Sequence, residues 1–201
     1  MIKALFFDVG GVLISDDSID ILKRQSQLLG ISSRKLRDDM RLDRILLMKG
    51  MIARREYLRR LAKNFQLPPI SVESLRPLFR RQRYFHESWA VARRLRNSGY
   101  IVGIISNAVP PMPFSKKSKL LNEPSKLFRP VIFSYKVKSV KPEKQIFEIA
   151  RRRSKVKFSE MAFCDDKLRN VRAAKRLGIR AFLYKNPARM IKSLRRLGVK
   201  I

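Results

Sequence analysis

A chain of 201 residues holds one sizeable domain, or one domain with a small insertion, and 45% apolar side chains suffice to bury a core, which excludes a disordered chain. A lone cysteine excludes a disulfide within the monomer, and no apolar run approaches the roughly 20 residues needed to span a bilayer. The charge is lopsided, with 47 Lys and Arg against 16 Asp and Glu for a net +31.

In chain order, Lys3-Ala4-Leu5-Phe6-Phe7 reads as a strand buried on both faces, and it ends abruptly in Asp8-Val9-Gly10-Gly11-Val12-Leu13. An ionised Asp at the lip of a buried strand is costly without partners, so the chain must bring metal, Lys or backbone donors to it. Asp17 or Ser18 is placed to cap a helix outlined by Ile19, Ile21, Leu22, Leu28 and Leu29 and stopped by Gly30. Ser32-Ser33 caps a second helix running through Leu36, Met40, Leu42 and Ile45 to Gly50. A third covers Ala53 to Phe65, and a fourth runs from Ser71 to about Arg83 after the Pro68-Pro69 break. No strand signal interrupts residues 17–83. The reading is a core of residues 1–15 and 84–201 with an all-helical cap, 16–83, placed as a lid at the C-terminal edge of the sheet.

A helix from His86 to Asn97 leads into the strand Tyr100–Ile105, which ends in Ser106-Asn107. Residues 108–123 carry Pro110, Pro111, Pro113, Lys116, Lys117 and Lys119 without periodicity, a functional or mobile loop. Val131–Phe133 is a third strand. Ser139-Val140-Lys141-Pro142 sets a lone Lys before a helix over Glu143–Arg153. Met161–Cys164 is a fourth strand ending in Asp165-Asp166, Lys167–Leu177 a helix closed by Gly178, Arg180–Tyr184 a fifth strand, and Pro187–Leu197 a basic helix. Alternating strands and helices predict an α/β fold, a Rossmann-like parallel sheet of about five strands with helices on both faces.

Asp8, Ser106, Lys141 and Asp165-Asp166 therefore occur in that order at strand ends and a helix start. That order resembles the haloacid dehalogenase superfamily over nearly the whole chain, from Ile2 to about Asn186. The nearest likeness is to the capped, phosphatase-like subgroup with an Asp-x-Gly-Gly-Val-Leu start and an Asp-Asp-x-x-x-Asn-Val-x-Ala-Ala ending, here Asp165 to Ala174. The resemblance implies a hydrolase acting on a small phosphorylated metabolite through an aspartyl-phosphate, with Asp8 as nucleophile and Mg²⁺ as cofactor. Ser106 and the backbone N–H groups of Asn107 and Val9 would hold phosphate oxygens, and Lys141 would neutralise Asp8 and the transferring phosphoryl group. Asp8, the Gly10 carbonyl and Asp165 would hold the metal, with Asp166 binding directly or through water and Asp165 favoured as the direct ligand.

The chain departs from the family pattern at Gly10, where an Asp usually serves as general acid and base, worth roughly 10²–10⁴-fold. The enzyme is then slow, or takes a substrate with a good leaving group such as an acyl phosphate, or uses Asp16, Asp17 or His86 instead. A halide also departs without a proton, so dehalogenation is weighed as well, although the Asp165-Asp166 pair speaks against it. The second reading is a catalytically weak member that binds RNA or another polyanion through its basic surface. Basic residues are spread over all segments instead of forming one stripe, which favours generic attraction. With Met1-Ile2-Lys3 leading straight into a strand and not a signal segment, the expected location is cytoplasmic, with no membrane partner.

Overall fold

The computed structural model describes residues 1–16, 18–68, 83–109 and 127–201, without the side chains of Ser18 and Ile19. The expected helix over Ser71–Arg83 and the loop over 108–123 fall mainly outside these residues, as does Asp17. The described strands form one parallel sheet: β1 (Ala4–Phe7), β2 (Ile101–Ser106), β3 (Val131–Phe133), β4 (Met161–Asp165) and β5 (Arg180–Leu183), in the order β3-β2-β1-β4-β5. β1 is central and all four of its residues are buried, as a strand covered on both faces requires.

Alternation along the strands divides the core. Leu5, Phe7, Val102, Ile104, Ala162 and Cys164 face α5 (His86–Asn97) and the C-terminal helix α9 (Pro187–Arg196). Ala4, Phe6, Ile105 and Phe163 face α7 (Lys144–Ser154) and α8 (Leu168–Arg176) on the opposite side. Trp89 anchors the first layer. Its indole N–H donates to the Leu13 carbonyl at 2.9 Å and its ring meets Phe128 edge-on, so α5 is pinned to the turn that follows β1.

Between β1 and β2 the chain inserts α1 (Ser18–Leu28), α2 (Ser33–Asp39), α3 (Arg41–Met48) and α4 (Arg54–Asn64). They gather around a separate cluster of Leu36, Met40, Leu47, Tyr57, Leu58 and Leu61. The two ends of the insertion meet in a short ribbon. Ile14 bridges Tyr84, Ser15 N–H donates to Arg83 O at 2.8 Å, and Phe85 N–H donates to Leu13 O at 2.9 Å.

The single helix expected from Ser32-Ser33 to Gly50 is two helices joined at Met40 (φ −95°, ψ 12°). Asp38 and Asp39 are weak helix formers ahead of the joint, and Asp43 supports the new start because a negative charge is favourable in a first turn. A short helix, α6 (Ser134–Val137), follows β3 without having been anticipated. Among the described residues, no helix is long and apolar enough to cross a membrane.

Candidate active site

The register of the sheet builds the site. Phe7 pairs with Ile104 on one side and Cys164 on the other, so the next residue, Asp8, emerges level with Asp165, and its N–H extends the ladder to Cys164 O at 2.9 Å. Two carboxylates on adjacent strand ends repel. Lys141, from the loop ahead of α7, lies between them, with Nζ 2.8 Å from Asp8 Oδ2 and 2.6 Å from Asp165 Oδ2. All three are buried, at 6% exposure for Asp8, 0% for Asp165 and 2% for Lys141, so both carboxylates depend on Lys141 to remain charged.

The carboxyls do not share this support equally. Burial pushes Asp8 up to about 6, with Asp165 adding to the rise while Lys141 and the Val9 N–H, which donates to Asp8 Oδ1 at 2.6 Å, oppose it. Burial would raise Asp165 too, yet Lys141 and three further donations hold it below the usual carboxylate range. Lys167 N–H donates to Oδ1 at 2.8 Å, and Asn170 Nδ2 lies 3.0 Å from each oxygen. Asn170 reaches back because α8 begins just after the strand end, placing a residue five positions on over the carboxylate. That role was not anticipated, although the Asp-to-Asn spacing carries the signal.

Asp166 differs in kind. Burial raises it, and among the described residues its Oδ1 is a buried atom without a hydrogen-bond partner. Ligand oxygens of Asp8, Asp165 and Asp166 lie within 4.8 Å of one another. Gly11 makes the approach possible: at φ +78°, a Cβ there would stand 2.5 Å from Asp166 Oδ2, so only glycine lets the turn and the carboxylate occupy this space.

The remaining expected residues surround this centre. Ser106 ends β2, 3% exposed, on the strand beside Asp8. Asn107 binds the other side of the site: its Oδ1 accepts Lys141 N–H at 2.7 Å and its Nδ2 donates to Lys141 O at 2.9 Å, so its side chain braces the Lys141 loop. Val9 N–H, expected to meet phosphate, is directed to Asp8. A Cβ on Gly10 would meet Asp16 Cβ at 3.8 Å, and Asp16 Oδ2 lies 3.0 Å from Lys167 Nζ at the same mouth. His86 lines, with Gly11, Phe85, Glu87, Asp166 and Tyr184, a cavity of about 620 Å³.

A family model of haloacid dehalogenase-like hydrolases matches residues 2–178. The chain belongs to the haloacid dehalogenase-like hydrolase family. A comparison with curated proteins finds no match. Among solved structures, this hydrolase is similar to a predicted HAD-like family hydrolase from Porphyromonas gingivalis, at 22% identity and TM-score 0.79 over 100% of both chains. It is also similar to a HAD family enzyme from Bacteroides thetaiotaomicron crystallised with magnesium and inorganic phosphate, at 22% identity and TM-score 0.70 over 92% of this chain and 96% of that one. A third is an L-2-haloacid dehalogenase, at 18% identity and TM-score 0.59 over 93% and 86%.

The donor set of this hydrolase fits a hard divalent cation. Asp8 and Asp165 share one Lys141, Asp166 adds a third carboxylate within 4.8 Å of them, and Asp166 Oδ1 is without a hydrogen-bond partner among the described residues, so negative charge is in surplus. The two expected metal residues, Asp165 and Asp166, differ in what already occupies their oxygens. Both Asp165 oxygens are engaged by Lys141, Lys167 and Asn170, whereas Asp166 retains an oxygen for a cation. Sequence could not distinguish two adjacent Asp residues, because the strand's alternation turns one inward onto Lys141 and the other toward Gly11.

Proposed function

We propose that this hydrolase is a phosphatase of small phosphorylated metabolites that works through an aspartyl-phosphate on Asp8. The observation that carries the reading is the cluster of Asp8, Asp165 and the half-buried Asp166, with Lys141 paired to the first two. A carboxylate oxygen of Asp8 attacks phosphorus while the bond to the leaving oxygen breaks and its electron pair departs with that oxygen. Water then attacks the phosphorus, the Asp8–phosphorus bond breaks, and the carboxylate returns with release of phosphate. Lys141 stabilises charge on Asp8 and on the phosphoryl oxygens, Asn107 holds the Lys141 loop, and Ser106 offers its hydroxyl to a phosphate oxygen. Mg²⁺, held by Asp8, Asp166 and the Gly10 carbonyl, would offset the remaining negative charge and polarise the phosphoryl group. The helical insertion, 16–83, would act as the cap that shields this chemistry from water.

Two features support the phosphatase over its rivals. The Bacteroides relative was crystallised with magnesium and phosphate. A haloacid loses halide without a metal, so its chemistry would gain nothing from clustered carboxylates suited to a divalent cation. Gly10 supplies no proton donor, so substrates with good leaving groups are favoured. The second reading, binding of RNA or another polyanion, is supported by the net +31.

A phosphatase screen with Mg²⁺ and with EDTA tests the proposal, with Asp8→Asn as the control. Turnover should appear with Mg²⁺, vanish in chelator, and fall to background in Asp8→Asn while the circular dichroism spectrum stays unchanged. Full activity in EDTA would indicate a dehalogenase-like site, and an active Asp8→Asn would remove the nucleophile.

A further inference from the structure

The end of α3 touches the core at three points, all on or beside the two loops that carry Asn107 and Lys141. Lys49 Nζ lies 2.7 Å from Glu143 Oε1. The other oxygen of Glu143 accepts Ser139 Oγ–H at 3.0 Å and Val140 N–H at 3.2 Å, so this side chain braces the two residues that precede Lys141. Ser134 Oγ donates to Met48 O at 2.7 Å and accepts Ala108 N–H at 2.9 Å, next to Asn107. Gly50 (φ +65°) packs so closely that a Cβ would stand 2.7 Å from Tyr135 O. Since Asn107 is itself bound twice to the Lys141 backbone, the contacts form a closed ring. It runs from Lys49 through Glu143, Val140, Lys141, Asn107, Ala108 and Ser134 back to Met48.

We propose that Lys49 and Glu143 are positioning residues for Lys141, through which docking of the helical insertion fixes where the Lys141 ammonium meets Asp8 and Asp165. The catalytic meaning of this rests on the phosphatase reading; the mechanical coupling does not. An isolated ion pair at 22% and 38% side-chain exposure adds little stability. This one differs because its carboxylate is shared between the insertion and the backbone N–H beside Lys141. Releasing Lys49 frees Glu143 to follow solvent, and the loop it braces loosens with it. The effect therefore falls on the placement of Lys141 and hardly on the melting temperature.

Hydrogen exchange on the full metal-free chain, combined with steady-state kinetics, tests this. In Lys49→Ala the Val140 and Lys141 amides should exchange about tenfold faster while β4 and α8 keep their protection, and kcat for a phosphomonoester should fall about tenfold with KM little changed. Lys49→Arg should restore both. Glu143→Gln, whose amide oxygen still accepts from Val140, should match Lys49→Ala, and Glu143→Ala should exceed it. Unchanged exchange at Val140 and Lys141 in Lys49→Ala would overturn the proposal, as would faster exchange with kcat held at the wild-type value. A wild-type protein without phosphatase activity whose Lys141 loop still loosens in Lys49→Ala would leave the coupling standing and reject the proposed function instead.

Discussion

A Cβ added at residue 10 would clash with nothing, since Gly10 does not use left-handed backbone and the nearest atom would be Asp16 Cβ at ordinary contact distance, 3.8 Å. Gly10→Asp should therefore fold. It should speed turnover of phosphomonoesters with poor alkyl leaving groups by up to about 10²-fold and leave aryl and acyl phosphates nearly unchanged, because only the former need protonation. Asp16 would oppose the gain by repulsion, so adding Asp16→Asn should enlarge it. A folded Gly10→Asp with unaltered rates on both substrate classes would show that a missing acid is not what limits the enzyme. Asp8 makes a separate prediction about pH. Its proton affinity rises from the ordinary 3.8 to about 6 on folding, so the metal-free native state binds the extra proton, and stability present at pH 4 is lost as pH rises through 6. The loss is on the order of 3 kcal/mol. Asp166, also raised, acts in the same direction; Asp165, held low, contributes stability that disappears only in stronger acid. Urea unfolding in EDTA should show Asp8→Asn more stable than the wild type at pH 7 and the difference shrinking toward pH 4. An equal or less stable variant at pH 7 would contradict the assignment of a strained carboxylate.

At the scale of elements, the strands were legible because each is a short apolar run with a polar end, and a buried parallel sheet needs little more. The strand-end positions of Asp8, Ser106 and Asp165 follow from the same pattern. What local pattern cannot carry is contact between distant segments. The short helix at Ser134, tied to Met48, the Lys49–Glu143 pair and the bracing of Lys141 by Asn107 each depend on a partner remote in sequence. Gly103 is a further instance: inside β2 it reads as a weak strand residue, yet a Cβ there would lie 2.5 Å from Phe6 Cε1 and 2.7 Å from Pro130 O. Its absence leaves room for the edge of the Phe6 ring beside Gly103. Gly103→Ala should destabilise the protein by about 1–3 kcal/mol through overpacking, with Mg²⁺ affinity of the folded fraction unchanged. Chemical denaturation measures the first and calorimetric titration the second; an unaffected unfolding midpoint would mean that β1 and β2 shift apart without penalty.

For the whole molecule the question is what a net +31 does. Many of the described acids are already engaged within the fold: Glu160 with Lys3, Asp43 and Glu56 with Arg60, Glu143 with Lys49, and Asp16 with Lys167. The surplus cations include Arg151, Arg152 and Arg153 in the last turn of α7 and Arg195 and Arg196 at the end of α9, so they lie on both faces of the sheet. Such a distribution attracts phosphates from every direction without aligning donors against any base edge, and attraction of that kind is mostly counterion release. Single-stranded RNA should accordingly bind at low salt with little preference among sequences. If 6–10 phosphates are neutralised, affinity should fall by several orders of magnitude between about 50 and 200 mM salt. Charge reversal at Arg55 and Lys63 on α4 should lower the salt slope if the insertion contributes, and an unchanged slope would locate the contacts on the core. Fluorescence anisotropy with unrelated oligonucleotides across a salt series decides the matter. A complex that persists at physiological salt and discriminates among sequences would mean that the cations are arranged for recognition, and would place RNA binding ahead of phosphate-ester hydrolysis as the work of this chain.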